Sequence, residues 1–321
     1  MDTTEAMMTY LEEVTRRPTG NGWFTTNIIV LDHPAFFLRQ FSEKGGTPVV
    51  IIPPQAGHDS TVADFDNEQS LVQTAVAAGR TVYAIDWKSC PPSRRNETIA
   101  DLVDQVRAAV VGHTGPCELV GLCMGGWLAV VFASLYPHFV KKLIVAAAPI
   151  RATAGAGFVQ SIVKLMPQEY YEGLVAMGGG VMRGELMLFG WKMSNPLDRF
   201  FLDYIRMWNA VGTPEWPRMQ RFRRWYEHTM DIAGGWYLEA VDQIFRQDLI
   251  IKAKMQIRGR RVDPGLITAP IITVAGTKDD LTPVEQVHVL GGRWVTFPTG
   301  HIGTFTSRQV QGKWRELLLA Q

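Results

Sequence analysis

Short unbroken apolar runs punctuate the chain, and stretches with helical spacing separate them. Residues 49–52, 81–85, 117–122, 142–148, 269–275 and 293–297 are rich in Val, Ile, Leu, Ala and aromatic residues. Runs of this length, apolar at nearly every position, mark strands buried on both faces. Between them, residues 70–78, 96–111, 128–135 and 310–319 carry a 3.6-residue period. In residues 96–111, Ile99, Leu102, Val103, Val106 and Val110 fall on one helix face. Strands alternating with helices at this rhythm predict parallel βαβ units, an α/β fold with a mostly parallel sheet flanked by helices. Two further runs, 27–31 and 36–40, are separated by Asp32-His33-Pro34 and predict an antiparallel edge hairpin. A short helix is expected over residues 4–14.

The rhythm breaks at Pro149. From 151 to 251 the chain is rich in Met, Trp, Gly and Arg and has no buried-strand run. This stretch predicts a helical cap inserted into a core built from residues 1–150 and 252–321. Its Met and Trp side chains, dense between 165 and 236, serve the core, a substrate or a partner. Arg218, Arg221, Arg223 and Arg224 beside Trp225 read as a solvated helix face in preference to an acid-binding site.

A length of 321 residues suits one large domain or one domain with a sizeable insertion. Lys and Arg total 32 against 31 Asp and Glu, so no global basic field draws in nucleic acid. Three cysteines do not make a disulfide framework, and a reducing interior follows. The first residues, Met1-Asp2-Thr3-Thr4-Glu5, lack the order of a signal peptide. No apolar run reaches the ~18 residues of a transmembrane helix. A soluble, cytoplasmic protein is expected, with a homo-oligomer left open. None of the seven histidines forms a paired metal-ligand spacing, so neither metal nor cofactor is expected.

The chemistry centres on Gly121-Leu122-Cys123-Met124-Gly125-Gly126, between an apolar run and a helix. This is the pattern of a nucleophile elbow with Cys in the usual place of Ser. The glycines let a sharp strand-to-helix bend close, and the bend exposes the sulfur at a helix N-terminus, where partial positive charge favours thiolate. The Met124 amide is then one half of an oxyanion hole. The loop after residues 49–52, Pro53-Pro54-Gln55-Ala56-Gly57-His58, supplies the other, with Ala56 the first choice and Gln55 the second. His58 reads as a structural hydrogen-bonder in preference to a base, and Asp86, at a strand end, as a structural acid. Past residues 269–275, Gly276-Thr277-Lys278-Asp279-Asp280 places a carboxylate at a strand end. Asp279 is the first candidate and Asp280 the second, since spacing alone does not separate adjacent acids. The last strand leads to Gly300-His301-Ile302-Gly303. Cys123, Asp279 and His301 follow the nucleophile–acid–base order of the α/β-hydrolase arrangement, each beyond the C-terminal end of a parallel strand. His301 takes the thiol proton and Asp279 orients its imidazole.

Residues 121–126 resemble the modified lipase box of polyhydroxyalkanoate synthases, as do Ser70-Leu71-Val72, residues 79–83 and Ile85-Asp86-Trp87. Residues 236–245, 258–264, 276–280 and 300–305 resemble intracellular polyhydroxyalkanoate depolymerases. Residues 54–58 are similar to related synthetase-like hydrolases. The resemblance implies an α/β-hydrolase fold and a Cys-His-Asp acyl-enzyme acting on hydroxyacyl esters or thioesters, including coenzyme A or carrier-protein thioesters. Depolymerases of this type usually lack the second glycine after the nucleophile, and synthases usually carry His where Asp280 stands. The leading expectation is a cysteine hydrolase of 3-hydroxyacyl esters, depolymerase-like or thioesterase-like. The alternative is a synthase-like acyltransferase, passing the same intermediate to a hydroxyl or thiol. A non-catalytic binding module ranks third, since it has no need of all three residues.

Overall fold

Eight strands form one sheet in the computed structural model, which describes residues 2–320. They are β1 (Ile28–His33), β2 (Phe36–Ser42), β3 (Val49–Ile52), β4 (Val82–Trp87), β5 (Cys117–Leu122), β6 (Val140–Ala146), β7 (Ile271–Gly276) and β8 (Arg293–Phe297). Their spatial order is β1-β2-β4-β3-β5-β6-β7-β8. From β4 to β8 every neighbouring pair is parallel; β1 and β2 form the antiparallel edge.

Apolar runs become central strands because both sheet faces are covered. In β3, Val50 and Ile52 face one layer while Val49 and Ile51 face the other. Leu119 against Val120, and Leu143 against Ile144, split the same way along β5 and β6. On the first side lie α3 (Ile99–Ala109) and α4 (Met124–Leu135); on the second lie α2 (Leu71–Ala77) and α13 (Arg308–Leu319). All twelve residues of α4 are buried, as befits a helix that is apolar around its whole circumference. Thr98 caps α3 in a reciprocal capping box with Asp101. A π-helical turn, Val110–Thr114, extends α3 into the loop before β5. At the same end of the sheet, buried Lys142 pairs with Glu118 and donates to the carbonyls of Leu317, Leu318 and Ala320, satisfying the C-terminal end of α13.

Between β6 and β7 the chain forms α5 (Phe158–Leu165), α6 (Gln168–Met177), α7 (Gly184–Met193), α8 (Asp203–Ala210), α9 (Trp216–Glu227) and α10 (Gly234–Glu239). Residues 181–182 and 232–233 pair as a short antiparallel ladder. This segment shares the apolar layers of the sheet. Val181, Ile232, Trp236 and Ile244 join the layer of α3 and α4, while Leu188, Trp225 and Tyr226 join the other. Two four-residue helices, α11 (Val284–Val287) and α12 (Gly303–Thr306), follow β7 and β8.

The first helix, α1 (Thr3–Thr15), lies against α8 and α9. Its Glu13 is 2% exposed and pairs with Arg224 at 2.6 Å and Arg223 at 3.6 Å. Gln220 donates to the same carboxylate. The arginine group read as a solvated face is thus partly interior. Arg223 and Arg224 bind an acid of the same chain, and Arg221 donates to the Phe65 carbonyl.

Candidate active site

Cys123 stands between β5 and α4 with φ 52° and ψ −117°. Left-handed backbone at a residue with a side chain is strained by about 1–3 kcal/mol and persists only where the surroundings impose it. Here they do: the Cys123 amide donates to Ala146 of β6 at 2.8 Å, and its carbonyl accepts from Gly126. Two glycines make the bend sterically feasible. A Cβ on Gly121 would fall 2.4 Å from the Gly125 carbonyl oxygen, and one on Gly125 would fall 2.0 Å from that of Ile52. Either contact would push α4 off the ends of β3 and β5. The thiol is half-buried and free, at the N-terminus of α4, whose first amides have no partner within the helix.

His301 lies between β8 and α12, and Asp279 just beyond β7. Nδ1 of His301 is 2.8 Å from Asp279 Oδ2 and 2.8 Å from the Thr282 hydroxyl. The other Asp279 oxygen accepts from the amides of Leu281 and Thr282 at 3.0 and 2.9 Å. Thr282 also lies 3.0 Å from Asp279 Oδ2 and from the Ala147 carbonyl. With Nδ1 engaged, Nε2 is the nitrogen left for the sulfur, and Cys123 lies near enough to act on the imidazole electrostatically.

Burial opposes charge on His301. The negative charge of Asp279 and the hydrogen bond to it, with the Cys123 sulfur nearby, outweigh it and hold the imidazole pKa well above its ordinary 6.5. Burial likewise pushes Asp279 up, but imidazolium and the Thr282 donors leave its carboxyl below the ordinary 3.8. The arrangement is that of a buried imidazole held between a carboxylate and a thiol.

Asp280 stands apart from this network. Its side chain is exposed at the rim, and its carbonyl accepts from Phe158. Asp86 is ion-paired to Arg39 at 2.7 Å on the antiparallel side of the sheet.

A cavity of about 380 Å³ opens above Cys123 and His301. Ala56 lines it, as do Trp191 of α7, Trp225 and Tyr226 of α9, and Ile302 and Phe305. Gln55 is turned inward instead, 5% exposed. His58, expected to be a structural hydrogen-bonder, also lines the cavity, and its Nδ1 is buried without a partner. Its ring sits 4.8 Å from Trp225 and 5.2 Å from Tyr226. Burial drives its pKa down to about 4, so it is neutral at physiological pH. Thr282 and Trp191 escaped the sequence reading, and Trp225 entered it only as a neighbour of the arginine group. Thr282 was signalled only by its place three residues after Asp279, and Trp191 by nothing beyond the composition of residues 151–251. Among the described residues, no cluster of three or more His, Cys, Asp or Glu side chains is placed to hold a metal ion, and no helix is long and apolar enough to cross a membrane.

Sheet order, helix layers and the strained residue after β5 define the class: this chain has the α/β-hydrolase fold. In keeping with that, the chain superposes on the epoxide hydrolase of Bacillus megaterium with a TM-score of 0.55 at 15% identity, covering 92% of this chain and 100% of that one. More particularly, the chain belongs to the family described as "Protein of unknown function (DUF3141)", whose model matches residues 37–296. It is similar to the poly(3-hydroxyalkanoate) polymerase subunit PhaC of Haloferax mediterranei, 25% identical over 97% of this chain and 66% of the relative. The subunit of the same name from Haloarcula marismortui is 26% identical over 83% of this chain and 58% of its own length. The chain thus spans about two thirds or less of these relatives.

Proposed function

We propose that the protein is an acyltransferase that carries a 3-hydroxyacyl group on Cys123. The observation that carries this reading is the similarity, along 97% of the chain, to a relative named as a poly(3-hydroxyalkanoate) polymerase subunit. It reverses the order of the two readings taken from the sequence, in which hydrolysis led. The relatives' names support transfer and lend no support to a depolymerase or thioesterase.

In this mechanism the Cys123 thiolate adds to the carbonyl of a thioester. The carbonyl oxygen becomes an oxyanion, held by the amides of Met124 and Ala56. The tetrahedral adduct collapses, the C–S bond to the donor breaks, and His301 gives its Nε2 proton to the departing thiolate. A hydroxyl then enters, gives its proton to His301, and attacks the acyl-cysteine; the new ester leaves and the thiolate returns. Asp279 keeps Nδ1 protonated and offsets the imidazolium charge. The first step exchanges one thioester for another and is close to thermoneutral, which suits a sulfur nucleophile. Residues 151–251 act as the cap, and their tryptophans limit the access of water, which would otherwise intercept the acyl group. A free-thiol enzyme of this kind belongs in the reducing cytoplasm.

The test is intact-protein mass after mixing with 3-hydroxybutyryl-coenzyme A, for wild type and Cys123→Ala. The expected result is an adduct on wild type alone that persists in buffer and discharges when an alcohol such as a 3-hydroxybutyrate ester is added. An adduct that decays to free acid at the same rate with or without the alcohol would return hydrolysis to the lead.

A further inference from the structure

The loop from β3 into the cavity, residues 53–59, holds the proposed oxyanion residue Ala56, and the cap fastens it. Trp191 Nε1–H donates to the Ala56 carbonyl at 3.1 Å. The Met230 amide donates to the Gly57 carbonyl at 2.9 Å, and Trp225 Nε1–H to that of Asp59 at 3.2 Å. From the sheet, Trp87 Nε1–H reaches only the start of the loop, at Pro53, 2.8 Å away. Packing repeats the pattern. Gly57, at φ +88°, lies so near α7 that a Cβ there would sit 3.0 Å from the Met187 Cβ. Next to Trp191, Lys192 ties α7 to Glu227 of α9 at 2.6 Å.

We propose that Trp191 is a positioning residue for the oxyanion hole. Its side chain lines the cavity, and its N–H fixes the Ala56 carbonyl, and with it the set of the loop that carries the proposed oxyanion amide. Placement of the substrate under the cap and stabilisation of the oxyanion are therefore joined in one side chain. The proposal rests on the acyl-transfer reading above, and it makes a distinction that a packing role does not. An oxyanion donor matters only to a reaction that forms an oxyanion.

Cys123 can be asked to do two reactions. Alkylation by iodoacetamide forms the S–C bond as iodide leaves and passes through no oxyanion. Acylation by 3-hydroxybutyryl-coenzyme A passes through one. Trp191→Phe keeps an aromatic body in the cavity and removes the donor. The expected result is an acylation rate at saturating thioester lower by about 10- to 100-fold, the scale of a misdirected oxyanion donor. The KM and the alkylation rate should stay within about two-fold of wild type. Acylation and alkylation falling together, or neither falling, would overturn the proposal while wild-type acylation left the acyl-transfer reading intact. A wild type that is alkylated but never acylated would overturn both. Should near-ultraviolet circular dichroism show Trp191→Phe unfolded, Trp191→Met takes its place, with the same fall in acylation against unchanged alkylation and with a higher KM from the lost aromatic wall.

Discussion

Replacing Asp279 by Asn tests the electrostatic core of the site, and the structure sets both the direction and the size of the effect. Asn can keep the oxygen that accepts from the Leu281 and Thr282 amides. The atom then facing His301 Nδ1, where Asp279 Oδ2 stood at 2.8 Å, is an NH2 donor. Nδ1 must become an acceptor, its proton moves to Nε2, and the nitrogen aimed at Cys123 loses its lone pair. Acylation should fall about 10³- to 10⁴-fold, the scale of tautomer loss in triads of this kind. Loss of a buried charged hydrogen bond should also cost about 1.5–3 kcal/mol of stability. That cost has a pH signature. His301 has its pKa raised by folding, so its contribution is complete below about 6.5 and is lost as pH rises through the higher folded value. Asp279 has its pKa lowered, so its contribution is complete above about 3.8 and is lost as pH falls through the lower folded value. The difference in melting temperature between wild type and Asp279→Asn should therefore be greatest between about pH 4 and 6.5 and shrink on either side. Stopped-flow acylation and calorimetry across pH 3–9 measure both effects. Asp280→Asn is the companion, expected to change acylation by less than about three-fold because its side chain lies outside the network. If Asp280→Asn proved the more damaging, or the stability difference were flat with pH, the assignment of the acid would be wrong.

Two further substitutions probe strain and the N-terminal helix. Cys123→Gly should melt higher than Cys123→Ala by the equivalent of about 1 kcal/mol, because φ 52° strains alanine as it strains cysteine and leaves glycine relaxed; equal melting temperatures would mean that the bend stores no strain. Glu13→Gln should cost about 1.5–3 kcal/mol and remove hydrogen-exchange protection from residues 3–15 first, since burial disfavours the Glu13 charge and its bonds to Arg224 and Gln220 overcome that to hold its pKa below 4.5. The Glu13 contribution is present above that value and lost as pH falls through the lower folded one; unchanged exchange in α1 would refute the role of Glu13 in holding it.

The elements that sequence alone made legible are those specified by local physics. Residues 49–52 and 142–146 are apolar at almost every step, which only a strand covered on both faces accommodates. Gly121, Cys123 and Gly125 announce a bend, because their spacing fits few other backbones. The edge hairpin was readable from two β-branched and aromatic runs set close together, but its turn falls at Pro34-Ala35, with Asp32 and His33 paired in the first strand. The arginines of α9 were harder. Their partner Glu13 lies some two hundred residues away in sequence, and a helix face that meets a buried acid has the same composition as one that meets water.

Asp279 and Asp280 show most directly where sequence reading stops. Both are acids one step apart beyond the same strand, and the sequence alone determined only that an acid stands there. Which one reaches His301 depends on how the turn rotates after β7, and that rotation is set by the Leu281 and Thr282 amides closing on one carboxylate. His58, Thr282, Trp191 and Trp225 belong to the same category. The chain by itself determined the parallel sheet, the strained cysteine and the order of the three polar residues, because backbone sterics and apolar burial act over a few residues. Only the tertiary structure decided what surrounds the sulfur, because a cavity wall is made by side chains from distant segments whose meeting no local pattern encodes.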